Sequence, residues 1–349
     1  MNATPMPLWY TRCPLPTATG VALDTGLLEQ SMRDMGCVLR PIEASGDADA
    51  RQSHFTHSLK NLFRHGGNIP PIWSRSRGAD TALVGISRLN EYQAILALPG
   101  AAIRTVRDLA GKRLGLPVRT SGEIDFWRAM CLRGFESALR TAGMALSDVE
   151  LVELPVEERY IDRGSPAASG ASWMWSGAAR ARRQQAETLA LIRGEIDAIY
   201  TSGAMGAQLQ ALLQATVVSD LRAHGDPAVS VNNQCPAILT VDRSFARERP
   251  DVVAAYLRAL DRATQWAGSD RDTAYRIWAR EVGAPEEWIP HAYGEAEIGN
   301  MAVSLDAALV GQVEDQKAFL LRHRFIDTDF PIEDWIDPVP MQLARQAAA

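Results

Sequence analysis

The chain has 349 residues, of which 46% are hydrophobic and 22% are charged, so it is long enough to bury a large core and to form two lobes. Its 36 basic and 42 acidic residues give a net charge of −6, and no run of Lys or Arg is long enough to follow a phosphate backbone, so no nucleic acid partner is expected. The longest apolar runs, such as residues 94–98, are far shorter than the roughly 20 residues that cross a bilayer, so no membrane partner is expected either.

The N-terminal region indicates the compartment, and the compartment predicts the state of the cysteines. Residues 1–25 contain Arg12 as their one basic residue and are interrupted by four prolines, which is unlike a secretory signal. We therefore expect a cytoplasmic protein, and we expect it to be a monomer. Cytoplasmic cysteines are normally reduced thiols, and no Cys-x-x-Cys pair typical of zinc sites occurs here. We therefore expect no disulfide between the four cysteines, Cys13, Cys37, Cys131 and Cys235. We also expect that the protein holds no metal and no organic cofactor.

Apolar runs with strand character alternate with helical patterns along most of the chain, which predicts an α/β fold. Strands are predicted at residues 8–11, 38–42, 83–87, 95–98, 114–117, 150–154, 198–201 and 237–241. Helices are predicted at residues 24–35 and 180–193, each ending before a glycine, and at 251–266, 273–282 and 303–321. Pro250 suits the first turn of a helix, and the C-terminal third is expected to be mainly helical.

The segment 157–178 is rich in glycine and serine and is too long for a routine connection. It also contains Trp173 and Trp175, and paired tryptophans are unusual in a fully solvated loop. Two interpretations remain open at this point: a lid over a ligand site, or a surface loop.

Three short segments contain residues that suit catalysis. They are Tyr10-Thr-Arg-Cys-Pro-Leu-Pro, Ser53-His-Phe-Thr-His and Phe63-Arg-His-Gly-Gly-Asn-Ile-Pro-Pro. Together with their spacing, these segments resemble the aryl sulfinate desulfinases of the dibenzothiophene desulfurisation pathway. Weaker matches run nearly from end to end, although many positions differ and one family segment between residues 115 and 126 is shorter in this chain.

The segment 105–116, Thr-Val-Arg-Asp-Leu-Ala-Gly-Lys-Arg-Leu-Gly-Leu, resembles a phrase of type II solute-binding proteins. The resemblance implies a two-lobed type II periplasmic-binding-protein-like fold, in which each lobe is a mixed sheet flanked by helices and the ligand lies in the cleft. It implies a lobe A of residues 1–98 and 231–349 with a helical C-terminal region, and a lobe B of residues 99–230 that closes over the cleft.

The resemblance implies hydrolysis of the carbon–sulfur bond of an aryl or similarly apolar sulfinate by Cys13, His54 and Arg64. The planar guanidinium of Arg64 suits an anion with two oxygens. Cys13 has two possible roles, since a thiolate attacks sulfur whereas a thiol protonates the carbon. In both, His54 sets the protonation state of the thiol. The sequence leaves both routes open.

The same resemblance implies substrate contacts from Gly67, Phe55, His57, Leu59 and Phe135. Glycine lacks a Cβ and tolerates positive φ, so an N–H of the Gly66–Gly67 turn is expected to approach the anion. His57 and Leu59 stand where the family has a tyrosine and a glutamine. We therefore expect a pocket that favours an apolar sulfinate over the hydroxylated biphenyl compound, because a buried hydroxyl without a partner is destabilising.

Each of these residues also has an ordinary structural explanation. Cysteine is often a small buried apolar residue, and we expect this role for Cys37, Cys131 and Cys235, and a structural role for His65. Two other functions stay open: a non-catalytic binding protein for a sulfonate-like or other small organic anion, and a transferase or hydrolase of another substrate that uses Cys13. A thiol accompanied by a histidine and an arginine favours an enzyme over a transport receptor.

Overall fold

The computed structural model describes residues 4–120, 123–161, 183–295, 298 and 301–347. The strands are β1 Met6–Arg12, β2 Cys37–Pro41, β3 Leu62–Gly66, β4 Thr81–Ser87, β5 Gln93–Ala97, β6 Arg113–Arg119, β7 Glu150–Val156, β8 Ile199–Ser202, β9 Thr216–Asp220, β10 Ala237–Asp242 and β11 Val303–Ser304. The helices are α1 Ala18–Asp24, α2 Leu27–Asp34, α3 Ala48–Thr56, α4 Ile69–Ser76, α5 Phe126–Thr141, α6 Gln185–Ile192, α7 Gly203–Leu213, α8 Arg243–Glu248, α9 Pro250–Ser269, α10 Arg271–Val282, α11 Trp288–Tyr293, α12 Ala307–Arg322 and α13 Val339–Gln346.

A six-stranded mixed sheet has the order β11-β4-β10-β3-β1-β2. Strand β1 is parallel to β2 and β3, whereas β10 is antiparallel to both β3 and β4. The register places Thr11 of β1 opposite Arg64 of β3. Because β1 and β3 are parallel neighbours, the residues that follow them emerge at the same edge of the sheet.

Strands β8, β5 and β9 form a second sheet, and β6 pairs in parallel with β7. A parallel bridge between Leu114 and Ala198 connects β6 to the residue before β8. Residues 88–92 run from the first sheet to the second and are called the first crossover; residues 221–236 return and are called the second crossover. The expected α/β architecture with mixed sheets is confirmed. The lobe boundaries at 98 and 231 remain predictions, and β5 hydrogen-bonds within the second sheet.

The predicted strands are all present, but three helices differ from the prediction. The segment 180–193 is helical at Gln185–Ile192, and its residues 180–182 lie outside the described residues. The segment 24–35 is the end of α1 followed by α2, because Gly26 between them has a φ of 73° that interrupts the helix. The segment 303–321 begins as β11, which pairs with β4, and becomes helical at Ala307. Strands β3 and β9 were not predicted. Of the segment 157–178, residues 162–178 lie outside the described residues.

Aromatic packing fixes the first sheet against its helices. Phe63 of β3 stacks on Tyr256 of α9 with ring centroids 4.3 Å apart. The C-terminal segment returns to the sheet edge, where the Leu83 N–H donates to the carbonyl of Trp335 and the Trp335 indole donates to Thr81 Oγ1, both at 2.9 Å. Within the described residues, no helix has the length and apolar content needed to cross a bilayer.

His65 lies in the core of the first sheet, as expected of a structural histidine. Its Nδ1 is 2.7 Å from Thr19 Oγ1 and its Nε2 is 3.1 Å from Ser87 Oγ, so both ring nitrogens have hydroxyl partners. Burial, and then the nearby positive charge of Arg64, lower the pKa of His65 from 6.5 to about 3. The fold therefore requires the neutral ring.

This requirement predicts an acid-dependent loss of stability. A histidine whose pKa falls on folding contributes its full stability above the unfolded pKa, and that contribution is lost as the pH falls toward the folded value. Between pH 7 and about pH 4, the wild type is expected to lose about 3 kcal/mol more unfolding free energy than His65→Gln. Urea unfolding at both pH values measures this, with His224→Gln at an exposed position as the control. Equal losses in wild type and His65→Gln would contradict the assignment.

Candidate active site

The Cys13 sulfur lies at the edge of the first sheet where β1 and β3 end. The Cys13 N–H donates to the carbonyl of His65 at 3.1 Å, which continues the strand pairing by one residue. A Cβ on Gly66 would lie 2.4 Å from the Cys13 Sγ, so only glycine fits there. The positive φ that the sequence led us to expect for the Gly66–Gly67 turn is absent. The glycines are needed for close approach and not for backbone conformation.

Gly67 lies between the sulfur and the second crossover. Its N–H donates to Cys13 Sγ at 3.4 Å, and its carbonyl accepts a hydrogen bond from Arg64 Nη1 at 2.8 Å. A Cβ at this position would lie 2.5 Å from the side-chain amide of Asn233. The backbone of Gly67 is therefore confined on both sides, and its N–H is directed at the sulfur.

Arg64 is fully buried, and most of its donors are engaged within the protein. Its Nε donates to the carbonyl of His54 at 2.9 Å and its Nη1 donates to that of Gly67. Its Nη2 donates to Cys13 Sγ at 3.6 Å and also faces His54 Nε2 at 3.5 Å. The guanidinium thus organises the site with its Nη2 beside the sulfur, in addition to the anchoring of the ligand's oxygens that the sequence had led us to expect.

His54 is presented by α3, which begins at the capping side chain of Asp47. Its Nε2 lies 3.7 Å from Cys13 Sγ, and its Nδ1 lies 2.7 Å from Thr11 Oγ1. Burial, and then the charge of Arg64, hold the pKa of His54 well below its usual 6.5. The ring is therefore neutral at physiological pH.

The tautomer of His54 follows from its neighbours. Arg64 Nη2 carries only hydrogens, so the Nε2 that faces it acts as an acceptor. The proton of the neutral ring is then on Nδ1, which donates to Thr11 Oγ1. The Nε2 lone pair therefore faces the thiol of Cys13 as well as Arg64, while Arg64 and Gly67 direct two N–H donors at the sulfur.

An aromatic cluster adjoins the histidine. The Phe55 ring lies edge-on to His54 with centroids 5.4 Å apart, and it stacks against Tyr160 at 5.8 Å. Phe126 also stacks on Tyr160, with ring centroids 4.3 Å apart, and the Tyr160 hydroxyl donates to Asp125 at 2.5 Å. The sequence predicted Phe55, but no pattern in it pointed to Phe126 or Tyr160.

The other predicted substrate contacts lie in different surroundings. Phe135 is fully buried on α5 in the same hydrophobic cluster as Phe55. His57 ends α3 with a φ of 51°, and its Nε2 donates to the carbonyl of Leu62, at the opposite end of β3 from Gly67. Leu59 is partly buried in the loop between α3 and β3. Their contact with a substrate remains a prediction.

The remaining cysteines Cys37, Cys131 and Cys235 are buried, as expected of apolar structural residues, and none of them is in a disulfide. Burial raises the pKa of Cys37 and Cys131, which disfavours a reactive thiolate. Among the residues that the structure describes, no three His, Cys, Asp or Glu side chains are grouped so as to hold a metal ion.

No family model matches the sequence. A curated relative, "2'-hydroxybiphenyl-2-sulfinate desulfinase" of Rhodococcus erythropolis, is 25% identical over 95% of this chain and 91% of the relative. The protein of the same name from Rhodococcus qingshengii matches equally well. These matches confirm the resemblance to sulfinate desulfinases that the three short segments indicated.

Solved structures confirm the fold. A mutant of DSZB in complex with biphenyl-2-sulfinic acid superposes with a TM-score of 0.76 at 22% identity, covering 98% of this chain and 99% of that one. The periplasmic aliphatic sulphonate binding protein SsuA from Escherichia coli gives a TM-score of 0.64 at 18% identity, covering 96% and 93%. The chain therefore has the fold shared by these enzymes and solute-binding proteins.

Thr11 was missed by the sequence analysis, although it precedes Cys13 by two residues and so shares its side of the strand. Replacing Thr11 with valine removes the acceptor for His54 Nδ1–H, which favours the other tautomer. We expect Cys13 in Thr11→Val to react about tenfold more slowly with iodoacetamide at pH 7, the effect of one lost hydrogen bond. Mass spectrometry of the Cys13 peptide measures the rate. Thr11→Ser keeps the hydroxyl and should react like the wild type; equal rates in all three proteins would rule out this role.

Proposed function

We propose that this chain is a sulfinate desulfinase, which hydrolyses the carbon–sulfur bond of an aryl or similarly apolar sulfinate to the desulfurised product and sulfite. The observation that carries the proposal is that His54 Nε2 and Arg64 Nη2 both lie beside the sulfur of Cys13 and beside each other. The 25% identical relative that bears the desulfinase name supports it. The apolar ring of Phe55 beside His54 suits an aromatic or aliphatic substrate.

In the first route Cys13 is the nucleophile. The thiol proton passes to His54 Nε2, the thiolate attacks the sulfinate sulfur, and the carbon–sulfur bond breaks as the carbon takes the proton from His54. Water then cleaves the Cys13–sulfur bond of the intermediate, releasing hydrogen sulfite and restoring the thiol. Each turnover consumes one sulfinate and one water.

In the second route Cys13 is a general acid. The thiol protonates the carbon, sulfur dioxide leaves, and water adds to it to give hydrogen sulfite and one proton, which His54 returns to the thiolate. Both routes develop negative charge on Cys13 Sγ. The N–H of Gly67 and the Nη2 of Arg64 are directed at that atom and stabilise the charge.

A non-catalytic binding protein for a sulfonate-like anion is the second candidate, because the fold is shared with a sulphonate-binding protein. The two functions differ in one measurement. Incubation with a panel of aryl and alkyl sulfinates releases sulfite if the chain is a desulfinase. Saturable binding of the same compounds without sulfite release would favour the receptor.

Cys13→Ser is expected to lose activity by about three orders of magnitude or more, because the serine hydroxyl has far too high a pKa for either role of the thiol. Sulfite release measures the loss, calorimetric titration with a sulfinate should show retained binding, and thermal unfolding tests the fold. Cys37→Ser, at another buried cysteine, is the matched control and should stay active. Wild-type turnover by Cys13→Ser would remove the thiol from the mechanism.

Arg64→Lys is expected to be severely impaired although the charge is retained, because an ammonium group cannot reproduce donors to two carbonyls and the sulfur at once. Loss of one partner of a desolvated charged contact costs about 2–5 kcal/mol, or tens to thousands of fold in affinity. Titration with a sulfinate measures the affinity. Arg133→Lys, at a buried arginine on α5, controls for the loss of a buried guanidinium. Near-normal binding and turnover by Arg64→Lys would show that the fork is dispensable.

A further inference from the structure

A second polar cluster lies beside Cys13, at the junction of the two crossovers. Pro14, which follows Cys13, lines a small cavity of about 40 Å³, together with Glu91 of the first crossover and Gln234 of the second. The cavity is also lined by Ser202 and Tyr293. Glu91 is 1% exposed, which is unusual for a glutamate.

Glu91 and Gln234 connect the crossovers directly. With the Gln234 amide oriented so that its nitrogen faces the carboxyl, that nitrogen lies 2.5 Å from Glu91 Oε2 and 3.2 Å from Oε1. A side-chain hydrogen bond therefore joins residues that are distant in sequence, at the place where the chain passes between the two sheets.

Asn233, the residue before Gln234, contacts Gly67 and the two residues that follow it. The Asn233 carbonyl accepts the Asn68 N–H at 2.6 Å, and the Asn233 Oδ1 accepts the Ile69 N–H at 2.9 Å. The same side chain occupies the space where a Cβ on Gly67 would lie. An unbroken series of contacts therefore runs from Glu91 through Gln234 and Asn233 to the Gly67 N–H, which donates to the Cys13 sulfur.

The charge state of Glu91 is set by its surroundings. Burial raises its pKa to about 8, and the positive charge of Arg183 opposes this shift. Tyr200 of β8 and Tyr293 of α11 also face it, and burial keeps both phenols protonated. Near pH 7 the carboxyl is mainly neutral. Its ionisation above pH 8 leaves a charge in a buried site, which favours entry of water and separation of the two crossovers.

We propose that Glu91 is a positioning residue for Cys13, which acts through Gln234 and Asn233 to hold the Gly67 N–H against the sulfur. A glutamine at position 91 would keep a hydrogen bond to Gln234 without the cost of burying an ionisable group. The inference builds on the proposed function, because it assigns a purpose to the placement of that N–H. It extends the site from the first sheet to the first crossover.

Cys13 reactivity tests the proposal without any substrate. Alkylation by iodoacetamide, followed on the Cys13 peptide by mass spectrometry, is compared in wild type, Glu91→Gln and Glu91→Ala from about pH 6 to about pH 9. At pH 7 we expect Glu91→Gln to match the wild type and Glu91→Ala to react about fivefold more slowly. Above pH 8 the wild-type rate should fall relative to that of Glu91→Gln, which cannot ionise.

Two further variants separate positioning from a general loss of stability. Glu187→Gln removes another buried carboxyl, whose partner is the indole of Trp127. This variant should alkylate at Cys13 at the wild-type rate at every pH. In a Gln234→Ala background the difference between Glu91 and Glu91→Ala should disappear, because the intermediate link is gone. Equal rates in wild type, Glu91→Gln and Glu91→Ala, or the same pH effect in Glu187→Gln, would overturn the proposal.

Sulfite release is measured in parallel on the same variants. If sulfinates are turned over, Glu91→Ala should lower kcat with little change in KM, because the substrate-binding groups are untouched. If no sulfinate is turned over but the alkylation pattern is as expected, the proposed function fails and the positioning role stands. If turnover occurs but the alkylation rates do not differ, the positioning role fails alone.

Discussion

A single buried guanidinium determines the arrangement of the site. Arg64 lies inside the first sheet, and within the part of the chain that the structure describes no carboxylate pairs with it. Its hydrogen bonds go to two backbone carbonyls and to the Cys13 sulfur. A desolvated cation strongly favours an anion beside it, so negative charge is most stable at that sulfur or on a ligand that touches it.

Burial, together with the same charge, keeps the neighbouring histidines neutral. Burial and Arg64 together lower the pKa values of His54, His57 and His65, so all three rings are neutral at physiological pH. His54 differs from the other two because its Nε2 faces the thiol, whereas His57 and His65 direct their rings at backbone or hydroxyl groups.

The site depends on both crossovers as well as on the first sheet. Gly67 is fixed by Arg64 on one side and by Asn233 of the second crossover on the other. Glu91 of the first crossover bonds to Gln234, the next residue after Asn233. A movement of one sheet relative to the other therefore changes the position of the N–H that faces the sulfur. This couples the chemistry of the thiol to the geometry between the sheets.

The sequence by itself predicted the α/β class, the strands with strong apolar character, and the three catalytic candidates, whose types and spacing are local properties of short segments. It missed β3, because Arg64 and His65 interrupt its apolar pattern and their burial is possible only after α3 and β10 cover them. It also assigned a substrate contact to His57, whose Nε2 the structure directs at the carbonyl of Leu62.

Only the tertiary structure decided which groups these residues contact. It showed that Gly66 and Gly67 are required by close approach to Cys13 and Asn233, and that the Arg64 fork is engaged by backbone carbonyls. It brought Thr11 to His54, which are 43 residues apart, and Glu91 to Gln234, which are separated by all three strands of the second sheet. Hydrogen bonds and desolvation act over a few ångströms in space, and a linear pattern carries no information on which distant side chains meet at that range.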